Sequence, residues 1–301
     1  MSKPINAEQG GEIPERPSRW RVACETRAVL GESPLYDPRD GKIWWVDIKG
    51  CRLWAYEPGT GSSAGWELQT RVACIVVPDT TWPEDRQGAG SFLCACDSGF
   101  AWLTVAGDAV SLDVITDPEP GLPGNRFNDG KLGPDGRFFA GTMDDAEEEA
   151  TGTLYALSPD GSIAVIDRDY MVPNGPAFSP DGRAMFVNDS AKGRTYRFAL
   201  GANGEIGERS LFRQFGDGEA APDGMTTDAH GNLLVGLWGG WGIAILSPEG
   251  ALQGKIPLPT AQITSCAFNG ENGSRLYATS AAIGLEPEDR YAGNLFAIDL
   301  L

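Results

Sequence analysis

DGRFFAGTM, residues 135–143, is one of six copies of a short pattern that decides the fold of this 301-residue chain. Each copy is a glycine-containing turn followed at once by an alternating or apolar run that ends in a small or polar residue. The other copies are DGKIWWVDI (40–48), AGSFLCACD (89–97), DGRAMFVND (181–189), HGNLLVGLW (230–238) and NGSRLYATS (272–280). Their turn glycines are 42 to 49 residues apart, and a turn followed by such a run predicts a β-hairpin. The chain therefore repeats a hairpin unit.

Further short β-type runs lie between the copies, among them GTLYALSPDG (152–161), RTYRFAL (194–200) and WGIAILSPEG (241–250). Four strands in a period of about 45 residues are typical of a propeller blade. No window shows the sustained apolar stripe of an amphipathic helix, which argues against an α/β fold. We therefore predict an all-β protein, a six-bladed β-propeller with four antiparallel strands per blade.

The predicted blades fill residues 19–301 as a single domain, and residues 1–18 are expected to form a flexible N-terminal tail. We expect the ring to close by pairing of RWRVACETRAVL (19–30) with GNLFAIDLL (293–301). Such pairing leaves no sheet edge open.

The net charge of the chain is −18, from 24 basic and 42 acidic residues. This charge argues against nucleic acid and anionic membranes as partners, although it also fits a role in solubility alone. The sequence has neither a signal-peptide pattern nor an apolar run of about 18 residues. A cytoplasmic protein is expected, a monomer or weak homo-oligomer with a small-molecule substrate.

Polar residues recur at one level of the repeat. Asn128, Asn174, Asp223 and Ser265 each precede a turn glycine by 8 residues, and Glu32 precedes its glycine by 9. Equivalent positions of a propeller repeat stand at equal height around the axis, so these side chains should converge at one end of the channel. Turn capping would explain the residue types but not the shared register.

The converging side chains offer only carboxylate, amide and hydroxyl oxygens, which are ligands for a hard divalent cation. We predict one divalent metal ion, with Ca²⁺ favoured by ligand type and Fe²⁺, Zn²⁺, Mn²⁺ or Mg²⁺ as alternatives. The single histidine, His230, lies in a turn and excludes a His-rich zinc site. The acidic run DDAEEEA (144–150) is either a loop over the channel mouth or a plain solvated loop.

Several ordered motifs resemble the SMP-30/gluconolactonase/luciferin-regenerating-enzyme family along nearly the whole chain. They are GESP (31–34), RFNDGKLGPDGRFFAGTM (126–143), PNGPAFSPDG (173–182), PDGMTTDAHGNLLVGLWGG (222–240) and ITSCAFNG (263–270). The pattern is most similar to bacterial sugar lactonases. The resemblance implies a six-bladed propeller whose metal is held by Glu32, Asn174 and Asp223.

The same resemblance implies that Asn128 lies near a metal-bound water and the substrate, and that Arg126 contacts substrate hydroxyls. Vertebrate members carry a glutamate shortly after the motif that corresponds to GTM, where this chain has Asp144, Asp145 and Ala146. Asp145 is the substrate-binding candidate at that position.

The expected reaction is hydrolysis of an aldono-1,4- or 1,5-lactone, such as a glucono-, xylono- or arabinonolactone, to the aldonic acid. A dication can polarise the ring carbonyl and acidify a water. Asp223 is the candidate general base, with pure metal ligation as the alternative role, while Arg126 and Asn128 would orient the polyol. Another metal-dependent esterase or organophosphate hydrolase, or a non-catalytic binding propeller, are the rival functions.

Overall fold

The computed structural model of the protein describes residues 14–216, 220–270 and 275–300. This part of the chain forms 24 strands in six four-stranded antiparallel sheets, and β1 (Ser18–Cys24) belongs to the last of them. The prediction of a six-bladed propeller with four strands per blade is confirmed. None of the described helices is long and apolar enough to span a membrane.

The first three blades follow one another along the chain. Blade one comprises β2 (Gly31–Asp37), β3 (Lys42–Asp47), β4 (Arg52–Tyr56) and β5 (Ser63–Glu67). Blade two comprises β6 (Val72–Val76), β7 (Ser91–Cys96), β8 (Gly99–Ala106) and β9 (Ala109–Thr116), with a short 3₁₀ helix at Glu84–Arg86. Blade three comprises β10 (Asn125–Leu132), β11 (Phe138–Asp144), β12 (Gly152–Leu157) and β13 (Ile163–Tyr170).

The next three blades complete the ring. Blade four comprises β14 (Pro173–Phe178), β15 (Ala184–Asp189), β16 (Arg194–Ala199) and β17 (Ser210–Gln214). Blade five comprises β18 (Ala221–Thr227), β19 (Leu233–Trp238), β20 (Gly242–Leu246) and β21 (Leu252–Pro257). Blade six comprises β22 (Ile263–Phe268), β23 (Arg275–Ser280), β24 (Leu295–Leu300) and β1.

The ring closes where the two ends of the described chain meet. Strand β1 pairs antiparallel with β24, with Ser18 opposite Leu300 and Trp20 opposite Ile298, as the sequence predicted. Before β1, the Arg16 amide donates to the Lys255 carbonyl at 2.8 Å. Part of the expected N-terminal tail therefore lies against β21, while residues 1–13 of it are outside the described residues.

Five of the six predicted turn glycines have a left-handed backbone, with φ between 68° and 82°. Glycine adopts this conformation without the steric cost that a Cβ brings. The sixth, Gly273, is outside the described residues. The hairpin turns thus explain why glycine recurs at the repeat period.

Apolar side chains pack between neighbouring blades. The rings of Trp44 and Phe92 join blades one and two at 5.0 Å between centroids, and Phe100 and Phe138 join blades two and three at 5.4 Å. The first strands of adjacent blades contact one another, so they form the innermost ring around the channel. The polar residues predicted to converge lie on those strands.

Two aspartates at the ends of second strands hold the loops that lead into first strands. The Asp47 carboxylate accepts hydrogen bonds from the Val29 and Leu30 amides, both at 2.9 Å. The Asp189 carboxylate accepts from the Met171 and Val172 amides, both at 3.3 Å. These bonds position the chain just before β2 and β14, which carry two of the predicted metal ligands.

Candidate metal and substrate site

All six innermost strands are irregular near their first residues, at the same level of the propeller. In blade one the pairing register shifts between Glu32 and Leu35, and in blade four between Asn174 and Ala177. In blade five it shifts between Pro222 and Met225, which places Asp223 inside the bulge. Bulges re-aim side chains and are common beside functional sites. Here they bring polar groups to the channel.

Four of the five residues that share the sequence register line one cavity of about 370 Å³. They are Glu32, Asn128, Asn174 and Asp223, and each is at most 8% exposed. Arg126 lines the same cavity and is 5% exposed. This volume is within the range of small-molecule sites. The structure thus brings the predicted metal ligands and two predicted substrate contacts together.

The fifth residue of that register, Ser265, lies elsewhere. It lines a separate cavity of about 190 Å³, together with Asp129 and Lys131. Blade six instead presents Gln262 to the larger cavity, three residues earlier in the chain. Blade two contributes no lining residue there among those the structure describes, as its apolar inner strand predicted.

The two carboxylates of the cavity have similar surroundings. One Glu32 oxygen accepts a hydrogen bond from the Ser33 amide at 2.9 Å, and one Asp223 oxygen accepts from the Gly224 amide at 3.0 Å. Neither carboxylate forms a salt bridge with any residue in the described part of the chain. Each therefore keeps one oxygen without a donor among the residues that the structure describes.

Burial raises the pKa of Glu32 well above its usual range, and the charges of Asp223 and Asp129 raise it further. Burial likewise raises the pKa of Asp223, with Asp129 again adding to the effect. Holding several buried carboxylates ionised side by side is costly without a compensating positive charge. A dication removes that cost.

The donor set fits a hard divalent cation. Glu32 and Asp223 supply carboxylate oxygens and Asn174 supplies an amide oxygen, which is the ligand chemistry of Ca²⁺ and related ions. No group of three or more His, Cys, Asp or Glu side chains within the described ranges is arranged to hold a metal. The set named here combines two carboxylates with one amide.

A directed chain of hydrogen bonds orients the amides of the site. An Arg126 guanidinium nitrogen donates to Asn128 Oδ1 at 3.0 Å, and Asn128 Nδ2 donates to Asn174 Oδ1 at 3.0 Å. Asn174 Nδ2 donates to Ser190 Oγ at 2.8 Å, and the Ser190 hydroxyl donates to the Pro222 carbonyl at 2.5 Å. This series of hydrogen bonds runs through blades three, four and five, and it orients the side chain of Asn174.

Asp145, a predicted substrate contact, does not line the cavity. Its carboxylate accepts from Arg126 Nε at 2.7 Å and from an Arg71 guanidinium nitrogen at 2.8 Å. Burial raises the pKa of Asp145, but the bonds from Arg71 and Arg126 outweigh burial and keep it below its usual value. Asp145 thus holds Arg126 in place in this structure.

Sequence reasoning missed five polar residues of the site, of which Lys49 lines the cavity from the turn after β3. Glu147 lines the cavity from the acidic run, so that run contributes to the channel mouth. Ser190 and Gln262 line the cavity just outside their strands, where the strand register carries no signal. Asp129 lies behind the cavity, where its carboxylate accepts from the Gly130 and Gly175 amides, both at 2.8 Å. Its position next to Asn128 in the sequence was the available signal.

The chain is similar to known proteins in both sequence and structure. A model of the SMP-30/Gluconolactonase/LRE-like region matches residues 30–282. The chain is 32% identical to a 6-deoxy-6-sulfogluconolactonase from Pseudomonas putida, with 86% of this chain and 87% of that protein covered. It is 31% identical to a pentonolactonase from Haloferax volcanii, with 92% of each covered. A calcium-binding protein, regucalcin, from Agrobacterium tumefaciens has a similar structure, with a TM-score of 0.86, 27% identity and 95% of each chain covered.

Proposed function

Because the chain belongs to the SMP-30/gluconolactonase/LRE-like family, we propose that it is a lactonase that depends on a divalent metal and hydrolyses a sugar lactone to the aldonic acid. Relatives of more than 30% identity are named for sulfogluconolactone and pentonolactone substrates, which supports the substrate class. The observation that carries the proposal is a pair of buried carboxylates, Glu32 and Asp223, in the same cavity as Arg126. Neither has a salt-bridge partner among the described residues.

Glu32, Asn174 and Asp223 would hold the metal. When bound, a dication supplies positive charge that polarises a carbonyl group and makes a water more acidic near neutral pH. Ca²⁺ is favoured by the all-oxygen donor set.

Arg126 and Asn128 orient the substrate. Both hydrogens of one terminal guanidinium nitrogen of Arg126 are used, for the Phe127 carbonyl and for Asn128 Oδ1, and Nε is used for Asp145. The second terminal nitrogen has no acceptor among the described residues and is left for lactone hydroxyls. Holding the lactone in one orientation brings its carbonyl carbon near the attacking water.

Asp223 is the proposed general base. One of its carboxylate oxygens accepts the Gly224 amide and the other has no donor in the described part of the chain, so the second oxygen can accept the proton that water loses on attack. The proton then passes to the ring oxygen as the ester bond breaks. A role of Asp223 in metal binding alone is the alternative.

The test is a pH-drop assay on a panel of aldonolactones, with a chelator and with metal add-back. We expect turnover that the chelator removes, that metal restores and that Glu32→Gln abolishes. Glu148→Gln, in the exposed part of the acidic run, is the matched control and should keep full activity. Turnover that is changed neither by the chelator nor by Glu32→Gln would refute the metal site.

An aryl esterase is the second candidate. The cavity also has an apolar wall that includes Leu30, Val172 and Ile283, which would accept an aromatic leaving group. Phenyl acetate in the same panel separates the two functions, because a sugar lactonase should prefer the aldonolactones by a wide margin in kcat/KM.

A further inference from the structure

Gln262 is a buried amide in the cavity without a described partner for its oxygen. The side chain lines the cavity and is 8% exposed, yet Oε1 meets no donor among the residues that the structure describes. Its backbone is well held, because the carbonyl accepts from the Ala281 amide at 3.1 Å and the residue bridges to Trp238. A buried acceptor without a donor costs stability, so its presence needs an explanation.

Other buried side-chain atoms without partners do not share this position. Trp54, Ser91 and Thr104 each have a buried side-chain atom without a described partner, but none of the three lines the candidate-site cavity. Within the described ranges, Gln262 alone combines an unpartnered buried oxygen with a place in the wall of the proposed active site. Because Oε1 itself has almost no exposed surface, a ligand in the cavity becomes its partner once the terminal amide of Gln262 rotates toward the cavity.

The position of Gln262 in the ring complements that of Arg126. Gln262 precedes the first strand of blade six, while Arg126 is on the first strand of blade three. In a ring of six blades these two blades are diametrically opposite. A lactone whose hydroxyls are bound by Arg126 and Asn128 at one side therefore has Gln262 at its other side.

Trp238 adds an aromatic surface next to Gln262. Its backbone bridges to Gln262, and its side chain lines the same cavity. An amide beside an aromatic ring suits a polyol, because hydroxyls exchange hydrogen bonds with the amide while the C–H face packs on the ring. The terminal torsion of glutamine is broad, so the amide can present either its oxygen or its nitrogen.

We propose that Gln262, with Trp238 beside it, is a substrate-binding residue that binds the hydroxyls of the lactone opposite those bound by Arg126. This subsite rests on the proposed lactonase function. It selects polyhydroxylated lactones over unsubstituted lactones of the same ring size, because a site built to bind a hydroxyl is left with unpaired polar groups when that hydroxyl is missing.

The test compares two lactones of one ring size, glucono-1,5-lactone and δ-valerolactone, in metal-loaded protein. Gln262→Leu keeps the approximate volume and removes the amide. We expect kcat/KM for the gluconolactone to fall about 10- to 100-fold, and kcat/KM for valerolactone to change less than about twofold. The melting temperature should not fall, because the variant removes an unsatisfied oxygen.

Gln87→Leu is the matched control. The Gln87 side chain donates to the Trp82 carbonyl at 2.6 Å and does not line the cavity. This variant should lower the melting temperature and leave the ratio of kcat/KM between the two lactones unchanged. An equal loss on both lactones with Gln262→Leu, or no loss on either, would overturn the subsite.

Binding without turnover separates the subsite from the proposed function. Gluconolactone and gluconate should each raise the melting temperature of the wild type and raise that of Gln262→Leu much less. A wild type that binds these ligands but hydrolyses no lactone would refute the proposed function and leave the subsite standing. A wild type that neither binds nor hydrolyses them would refute both.

Discussion

Nε of Arg126 lies 2.7 Å from Oδ1 of Asp145, although only Arg126 lines the cavity. The Arg126 side chain is 4% exposed and that of Asp145 is 38% exposed. The other Asp145 oxygen bonds Arg71, which in turn bonds Asp97 at 3.0 Å. A surface carboxylate thus fixes the direction of a buried guanidinium, and it does so through a network anchored on blade two.

Asp145→Asn tests this arrangement. The variant keeps the size of the side chain but removes the charge that orients Arg126. We expect kcat/KM for aldonolactones to fall about 10- to 100-fold, mainly through KM, because small misplacements of an orienting group are costly. Metal affinity should fall much less than kcat/KM, because Asn174 is also held by its bond to Ser190. Asp113→Asn, which breaks the exposed 3.0 Å pair with Arg86 far from the cavity, should have wild-type kinetics.

Glu32→Gln should have opposite effects on the metal-free and metal-loaded protein. In the metal-free protein it removes one of several mutually repelling buried carboxylates, so the melting temperature should rise. In the metal-loaded protein it removes a ligand, so metal affinity should fall more than about 10-fold and the stabilisation by metal should shrink. Calorimetry with and without a chelator measures both effects. A variant that is less stable in both forms would contradict the assignment of Glu32 as a ligand.

Asp129 should make the metal-free protein less stable as pH rises. Burial raises the pKa of Asp129 from 3.8 to about 6, so the folded state binds its proton more tightly than the unfolded chain does. The associated stability is present below pH 3.8 and is lost as pH rises through about 6. The difference in stability between Asp129→Asn and wild type should therefore shift in favour of the variant by up to about 3 kcal/mol between pH 4.5 and 7.5, in chelator-treated protein. A constant loss is expected at all pH values, because Asn offers one acceptor oxygen where Asp129 accepts from two amides.

Asp181→Asn is the control, because its stability relative to wild type should change with pH in the opposite direction. Bonds from the Ser179 hydroxyl and the Arg183 amide lower the pKa of this exposed carboxyl. Its small contribution is present above the unfolded pKa and is lost as pH falls, so Asp181→Asn should lose stability relative to wild type as pH rises. Denaturant titrations across the pH range measure both differences. A difference in stability between Asp129→Asn and wild type that does not change with pH would contradict the burial of that charge.

Gly224→Ala should disturb the site through packing. A Cβ at this position would lie 2.6 Å from Ser265 Cβ and 3.0 Å from the Thr264 carbonyl oxygen, so strand β22 would have to move. We expect a loss of about 1–3 kcal/mol in the free energy of unfolding, together with weaker metal binding because Asp223 is the preceding residue. Gly59→Ala, where nothing lies within 4 Å of the new carbon, should change neither quantity. Thermal melts and metal titrations decide the comparison.

The sequence by itself determined the architecture. Turn glycines with left-handed backbones recur at the blade period. The two terminal β-type runs, 19–30 and 293–301, belong to no other blade, so their pairing closes the ring. The sequence also determined that Glu32, Asn174 and Asp223 converge, because equal positions in a repeat occupy equal heights around one axis. These conclusions follow from local periodicity, which a single chain carries in its spacing.

Only the tertiary structure decided which groups face the cavity and which support it. Ser265 lines a different cavity, and Gln262 lines the candidate site where Ser265 was expected. The Asp145 carboxylate accepts a hydrogen bond from Arg126 and does not line the cavity. The tertiary structure also buried Asp129 beside the two carboxylates. The physical reason is that bulges shift the direction of a side chain within one residue, and that loops between strands follow paths set by packing against neighbouring blades. Neither effect leaves a period in the sequence.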